Sequence, residues 1–145
     1  MNTKKISLSA TALLSAALVL GACGDKEVVK NPPTNEEVQS EFGFRSFDLD
    51  VDTADKKDAI EASFDLDMSE TEAKYKNKLT GTKLSGDKAY RELQPIFKEL
   101  ALTPDMTREE VIEKVSQAFG VAEYKEFDLE IDFTDGSEQE YSDMK

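Results

Sequence analysis

The chain has 145 residues and a formal net charge of −13, with no histidine, no tryptophan and one cysteine. A charge of this sign argues against a general electrostatic surface for nucleic acid or for an anionic membrane, because both need a positive patch. Without histidine there is no Ser-His-Asp or Cys-His nucleophile and no histidine zinc site, and one cysteine cannot form an internal disulfide or a cysteine metal site.

The first 23 residues have the pattern of a bacterial lipoprotein signal. Two lysines precede an apolar run over residues 6–20, and the tetrapeptide Leu20–Cys23 closes it with two small residues before the cysteine. The Cys23 thiol would take a diacylglycerol before cleavage leaves this residue as the new N-terminus. The alternatives are a transmembrane helix, for which this run falls short of the roughly 20 residues needed, and a plain secretory signal, which needs no cysteine at this position.

The remaining sequence predicts one domain held outside the cell membrane. We expect a signal peptide over residues 1–22, a lipidated Cys23 with a flexible tether over residues 23–43, and a single α+β domain over residues 44–145. The tether is polar, contains two adjacent prolines and lacks apolar periodicity. Removing the signal peptide takes away two lysines and no acids, so 16 basic and 31 acidic residues leave a formal charge of −15.

Alternating apolar and polar residues predict the strands of a sheet with one buried face. The segments are Phe47–Asp52, Ile60–Asp67, Ala73–Leu79 and Phe127–Phe133. A further short strand, Glu138–Ser142, would follow a tight Asp-Gly turn. A hairpin over the turn Met68–Thr71 would set three acids opposite three lysines across the sheet. These residues are Glu61, Asp65 and Asp67 on one strand and Lys74, Lys76 and Lys78 on the other.

Two helices are predicted between the third and fourth of these strands. The first, Asp87–Ala101, has an apolar stripe and contains Pro95, which predicts a kink or a late start. The stripe consists of Tyr90, Leu93, Phe97 and Leu100. The second begins after Thr107, which forms a capping box with Glu110, and ends at Gly120. The order β-β-β-α-α-β-β predicts an antiparallel sheet of about five strands with a two-helix pair on one face.

Short motifs along the chain resemble the YusW-like family of Bacillus-type secreted lipoproteins. They are Leu79–Gly81, Leu100–Met106, Glu109–Ile112, Ala118-Phe119 and Phe127–Ser137. The resemblance covers most of residues 44–142, and it implies a Gram-positive surface lipoprotein. It transfers no active site, because the family has no established activity and no assigned catalytic residues.

Aspartates at alternate positions are the strongest chemical feature of the domain. Asp48, Asp50 and Asp52, followed by Asp55, look like the start of a calcium loop. Thr53 and Ala59 occupy the positions where an EF-hand loop needs glycine and glutamate. The simpler interpretation is therefore that these aspartates form the solvent-exposed face of a strand. If the first and fourth strands are neighbours, these acids would face a second acidic set, which comprises Asp128, Glu130 and Asp132. Like charges across a sheet repel, and a basic partner or divalent cations would relieve the repulsion.

These observations favour a non-enzymatic binding domain whose acidic sheet face docks a basic envelope protein or a cationic peptide. One alternative is a small-ligand or cation-binding domain with a pocket near Tyr75, Tyr90 and Tyr124. Another is a hydrolase that uses carboxylates alone, which would need a cleft and a carboxyl with a raised pKa. We expect no cofactor and no dedicated metal site, and the sequence leaves the oligomeric state open.

Overall fold

The computed structural model of the chain describes residues 27–145, and over these residues it forms an α+β fold of six strands and three helices. In chain order the elements are α1 (Asn35–Glu41), β1 (Phe44–Asp52), β2 (Ile60–Leu66), β3 (Thr71–Asn77), β4 (Thr82–Ser85), α2 (Gly86–Leu100), α3 (Arg108–Ala118), β5 (Glu126–Phe133) and β6 (Glu138–Met144). The predicted fold class is confirmed, with six strands rather than about five. The predicted signal peptide over residues 1–22 and Cys23 lie outside the described residues.

All six strands lie in one antiparallel sheet with the order β4-β3-β2-β1-β5-β6. The central strand β1 pairs with both β2 and β5, so the predicted first and fourth strands are indeed neighbours. One face of the sheet is apolar and packs against the helices; for example, the Phe97 ring of α2 lies 4.9 Å from the Phe47 ring of β1. The opposite face carries the outward polar side chains.

The two helices form where the sequence predicts them, but α2 begins well before Pro95, so the late start offered as one effect of this proline does not occur. All four residues of the predicted α2 stripe are buried, and α2 runs from Gly86 to Leu100 with an exposed Pro95 inside it. The capping box of α3 is present: the Thr107 hydroxyl accepts from the Glu110 backbone N–H at 3.2 Å, and the Glu110 carboxylate accepts from the Thr107 N–H at 2.9 Å. Gly120 follows α3 with a φ of 73°, a left-handed conformation that favours glycine.

Residues 27–43, predicted to belong to a flexible tether, pack against the domain instead. Val28 forms an antiparallel bridge with Glu72 of β3, and Val29 is 4% exposed. We call residues 27–33 the strap. After the strap, Thr34 caps α1, which buries Val38 against the sheet. The expectation fails here because two adjacent valines in the strap and a seven-residue helix are too short to show apolar periodicity.

The predicted charge pairing between β2 and β3 is correct for Glu61 and wrong for the other two acids. Glu61 lies opposite Lys76, whereas Asp65 lies opposite Glu72. Asp67 belongs to the turn, where its carboxylate accepts hydrogen bonds from the Met68 N–H at 2.6 Å and the Ser69 hydroxyl at 3.2 Å. The turn therefore begins one residue earlier than predicted, at Asp67, and ends before Thr71, which is the first residue of β3.

Candidate functional site: the acidic outer face

The structure places all six sequence-predicted carboxylates on the outward side of the sheet. The register sets Asp48 opposite Glu130 and Asp50 opposite Asp128. It also brings in three acids that the sequence argument did not include: Glu126, Glu138 and Glu140. We call the outward side chains of β1, β5 and β6 the acidic face. Strand alternation in β5 and β6 was the signal that could have found the additional acids.

Like charges meet directly across this face. Side chains at opposite positions of an antiparallel pair have Cβ atoms about 4.5–5.5 Å apart, a distance at which equal charges are destabilising. Such contacts occur at three further positions in addition to the two pairs above: Asp52 opposite Glu126, Glu130 opposite Glu140, and Asp132 opposite Glu138. Five pairs of carboxylates therefore oppose each other on three consecutive strands.

Asp50 has the most perturbed carboxyl group of the acidic face. Partial burial and the repulsion of four nearby carboxylates together raise the pKa of Asp50 to about 6, with burial as the larger cause. The four carboxylates are Glu61, Asp48, Asp58 and Asp52. A carboxyl with this pKa is still partly protonated near neutral pH. Asp50 therefore titrates within the range where a change of pH or the arrival of a cationic group can alter its charge.

Asp52 has a structural role as well. Its Oδ1 accepts a hydrogen bond from the Asp58 backbone N–H at 2.7 Å, which closes the loop between β1 and β2. Asp58 has a φ of 48°, a conformation that aspartate tolerates better than most residues do. Asp52 is thus held in place by the fold and is less available to a partner than Asp48, which is exposed.

In the part of the chain that the structure describes, the ion pairs that lysines form across the sheet join β3 to β2. Lys76 and Lys74 of β3 both pair with Glu61, and the Lys74 Nζ lies 3.5 Å from the carboxylate. Partial burial alone would raise the pKa of Glu61, but the hydrogen bond from Lys76 and the two positive charges outweigh it and lower that pKa. Lysines of β3 therefore compensate the charge of Glu61 on β2, whereas the carboxylates of the acidic face form no ion pair within residues 27–145.

The cation alternative lacks a chelating arrangement in this part of the chain. Within residues 27–145, no three side chains among histidine, cysteine, aspartate and glutamate form a group that could hold a metal ion. The carboxylates of the acidic face are spread along three strands instead of converging on one point.

The three tyrosines proposed for a ligand pocket pack on three different partners. Tyr75 is partly buried against the core and contacts the Phe119 ring, whereas Tyr90 of α2 is buried and stacks on Phe64. Tyr124 lines an open groove, where its hydroxyl donates to Asp143 at 2.6 Å. This groove, between α3 and the end of β6, has a volume of about 420 Å³ and also contains Ser116, whose buried hydroxyl has no hydrogen-bond partner.

Comparison with known proteins agrees with the motifs noted in the sequence. A family model described as YusW-like protein matches residues 45–135. The chain belongs to the YusW-like family. A relative with the description "Uncharacterized protein YusW", from Bacillus subtilis (strain 168), is 30% identical over 99 residues, which is 67% of this chain and 68% of the relative. No solved structure matches the chain significantly.

The residues matched by the YusW-like model run from β1 to the turn after β5. They contain the β1–β5 pair on which the acidic face is built, together with α2 and α3. The strap, α1 and β6 lie outside the match. The acidic face is therefore centred on the part of the fold that the family pattern describes.

Proposed function

We propose that the protein is an extracytoplasmic lipoprotein, anchored through Cys23, whose domain binds a basic partner without catalysing a reaction. The partner class is an envelope protein or a cationic peptide, and the binding surface is the acidic face. The observation that supports this proposal is the register of β1 and β5, which sets carboxylate against carboxylate on an open sheet surface.

The register of β1 and β5 has an energetic cost. Opposed like charges destabilise a sheet, and salt screens the repulsion only in part at this short distance. Lysine or arginine side chains of a partner would lie between the carboxylates and replace repulsion by attraction. A surface of one sign also accelerates the encounter with an oppositely charged molecule.

An enzymatic role for the same residues has less support. A general acid acts on a substrate that the protein holds within hydrogen-bond reach, normally in a cleft. Asp50 has a raised pKa, but it is exposed on the surface of the sheet. Asp50 lies on the outward face of a strand, where its charge is available for binding, and not in a cleft that would position a substrate.

The anchor part of the proposal depends on the sequence of residues 1–23. Within residues 27–145, none of the helices is long and apolar enough to cross a membrane. A diacylglyceryl group on Cys23 would supply two acyl chains, and two lipid signals are what stable anchoring generally takes.

The test is crosslinking of the lipidated protein in intact cells, followed by identification of the recovered proteins at low and raised salt. The test variant carries Asp128→Asn, Glu130→Gln and Asp132→Asn. The matched control removes three exposed charges elsewhere through Glu92→Gln, Glu99→Gln and Glu123→Gln. We expect a salt-sensitive partner that the control variant retains and the test variant loses.

Two results would contradict the proposal. One is the same recovery from both variants, and the other is recovery no different from a lipidated fragment that ends before the strap. In the second case a thermal-shift screen with calcium and small ligands would follow, because it distinguishes the cation and pocket alternatives from the docking surface.

A further inference from the structure

The positive charge of the domain is concentrated at one edge of the sheet. Residues 71–91, which form β3, β4 and the start of α2, contain six basic and two acidic residues, whereas the rest of the described chain contains nine basic and 28 acidic residues. We call the six the basic edge: Lys74, Lys76, Lys78, Lys83, Lys88 and Arg91. Lys74 and Lys76 share the single carboxylate of Glu61, so the edge keeps an excess of positive charge after this pairing. The net charge of the whole chain, which argued against contact with an anionic surface, conceals this local excess.

The strap joins the domain at the same edge. Along β3, residues 71–73 pair with the strap and residues 74–77 pair with β4. The Glu27 carbonyl accepts from the Ala73 N–H at 2.8 Å, and the Val29 N–H donates to the Thr71 carbonyl at 2.7 Å. The Lys30 N–H also donates to the Asp87 carboxylate in the first turn of α2 at 2.8 Å. The N-terminal end of the strap is thus fixed beside the basic edge.

The distance between the strap and the predicted lipid is short. Four residue steps separate Cys23 from Glu27, and a fully extended chain spans at most about 3.6 Å per residue, or about 14 Å in total. The opposite edge, β6, lies five strand spacings from β4, which is about 24 Å at the usual spacing. A lipid on Cys23 therefore brings the β3–β4 side of the sheet nearer to the bilayer than the β6 side.

We propose that the lipidated protein rests with its basic edge against an anionic lipid surface and holds β6, with the acidic face, away from the bilayer. This inference depends on the lipid anchor in the proposed function, and it is independent of the basic partner. Anionic headgroups attract lysine and arginine side chains close to the surface. They repel carboxylates, so the anchor position and the charge distribution favour the same orientation.

The experiment uses the full lipidated chain in vesicles of phosphatidylcholine and phosphatidylglycerol. One variant carries Lys83→Cys on β4 and the other Glu140→Cys on β6; both residues are exposed and point outward from an edge strand. The lipid occupies the Cys23 sulfur, so the introduced thiol alone accepts a fluorophore. A nitroxide on the lipid headgroups should quench emission at position 83 and leave position 140 largely unquenched. Equal quenching, or stronger quenching at 140, would overturn the inference.

Two controls separate the contributions. A Gly-Ser linker of about 20 residues, inserted between residues 26 and 27, has a root-mean-square length of about 25 Å and should reduce the quenching at position 83. Vesicles of phosphatidylcholine alone should reduce it as well, because the attraction of the basic edge is lost. If neither the linker nor the neutral vesicles reduced the quenching at position 83, neither the short connection to the lipid nor the charge of the basic edge would cause the orientation. Protein that fails to float with the vesicles would refute the anchor, and the orientation with it, whatever the crosslinking of the acidic face shows.

Discussion

Asp50 links the charge of the acidic face to stability. The pKa of this group is raised to about 6 in the folded protein, from a usual value near 4 in an unfolded chain. Between these two values the folded state holds more protons than the unfolded state. The contribution of this residue to the free energy of unfolding therefore falls as pH rises through that window, and it stays low above about pH 6.

Replacing Asp50 by asparagine should stabilise the protein at pH 8 by about 0.5–1 kcal/mol, a modest gain because solvent screens this exposed group. The gain should shrink as pH falls towards 4, since wild-type Asp50 then becomes protonated. Urea unfolding at several pH values measures the difference. The control is Asp55→Asn in the exposed β1–β2 loop, for which little change is expected. A variant no more stable than wild type at pH 8 would show that the crowding of carboxylates has no energetic cost.

Individual residues of the acidic face also show the limit of sequence reasoning. Alternation assigns Asp48, Asp50 and Asp52 to one side of a strand, and the structure agrees. It cannot distinguish Asp52, which binds the Asp58 N–H, from Asp48. That difference depends on how the following loop returns to the sheet, and alternation in β1 contains no information about it.

At the scale of elements, long periodic segments were predictable and short ones were not. β1 and β5 have strict alternation and were placed correctly, as were α2 and α3. β4 and α1 have four and seven residues, too few for a pattern to stand out. The capping box of Thr34 and Glu37, the same motif that marked α3, was the available signal for α1.

The strap should contribute measurably to the edge of β3. Val29→Ala removes two methyl groups from a buried position and should lower the free energy of unfolding by about 1–2 kcal/mol. It should also accelerate hydrogen exchange at the Ala73 amide, which donates to Glu27 of the strap. Lys30→Ala, at an exposed neighbouring position, serves as the control. Unchanged exchange at Ala73 in the Val29 variant would mean that the strap contributes little to this edge.

For the molecule as a whole, the distribution of charge is more informative than its sum. The basic edge lies at the β3–β4 end of the sheet, and the acidic face extends from the central strand β1 to the opposite edge strand β6. The strap pairs with β3 at the basic edge. The sequence contains every one of these charges. The sequence alone does not show that these charges are separated in space. The strand order shows it, because β4 and β6 lie at the two opposite edges of the sheet.

The excess of acid predicts how salt affects stability. At 0.1 M salt the screening length is about 10 Å, and at 1 M it is about 3 Å, shorter than the distance between opposed carboxylates. Sodium chloride should therefore raise the melting temperature of a soluble form that lacks residues 1–22 and carries Cys23→Ser. The variant with Asp128→Asn, Glu130→Gln and Asp132→Asn should respond less, because fewer repulsive pairs remain for salt to screen. Thermal unfolding followed by circular dichroism across this range measures both slopes. If the melting temperatures of both proteins rose equally with salt, the repulsion would be spread over the whole surface. The acidic face would then not be the preferred binding surface for a cationic partner.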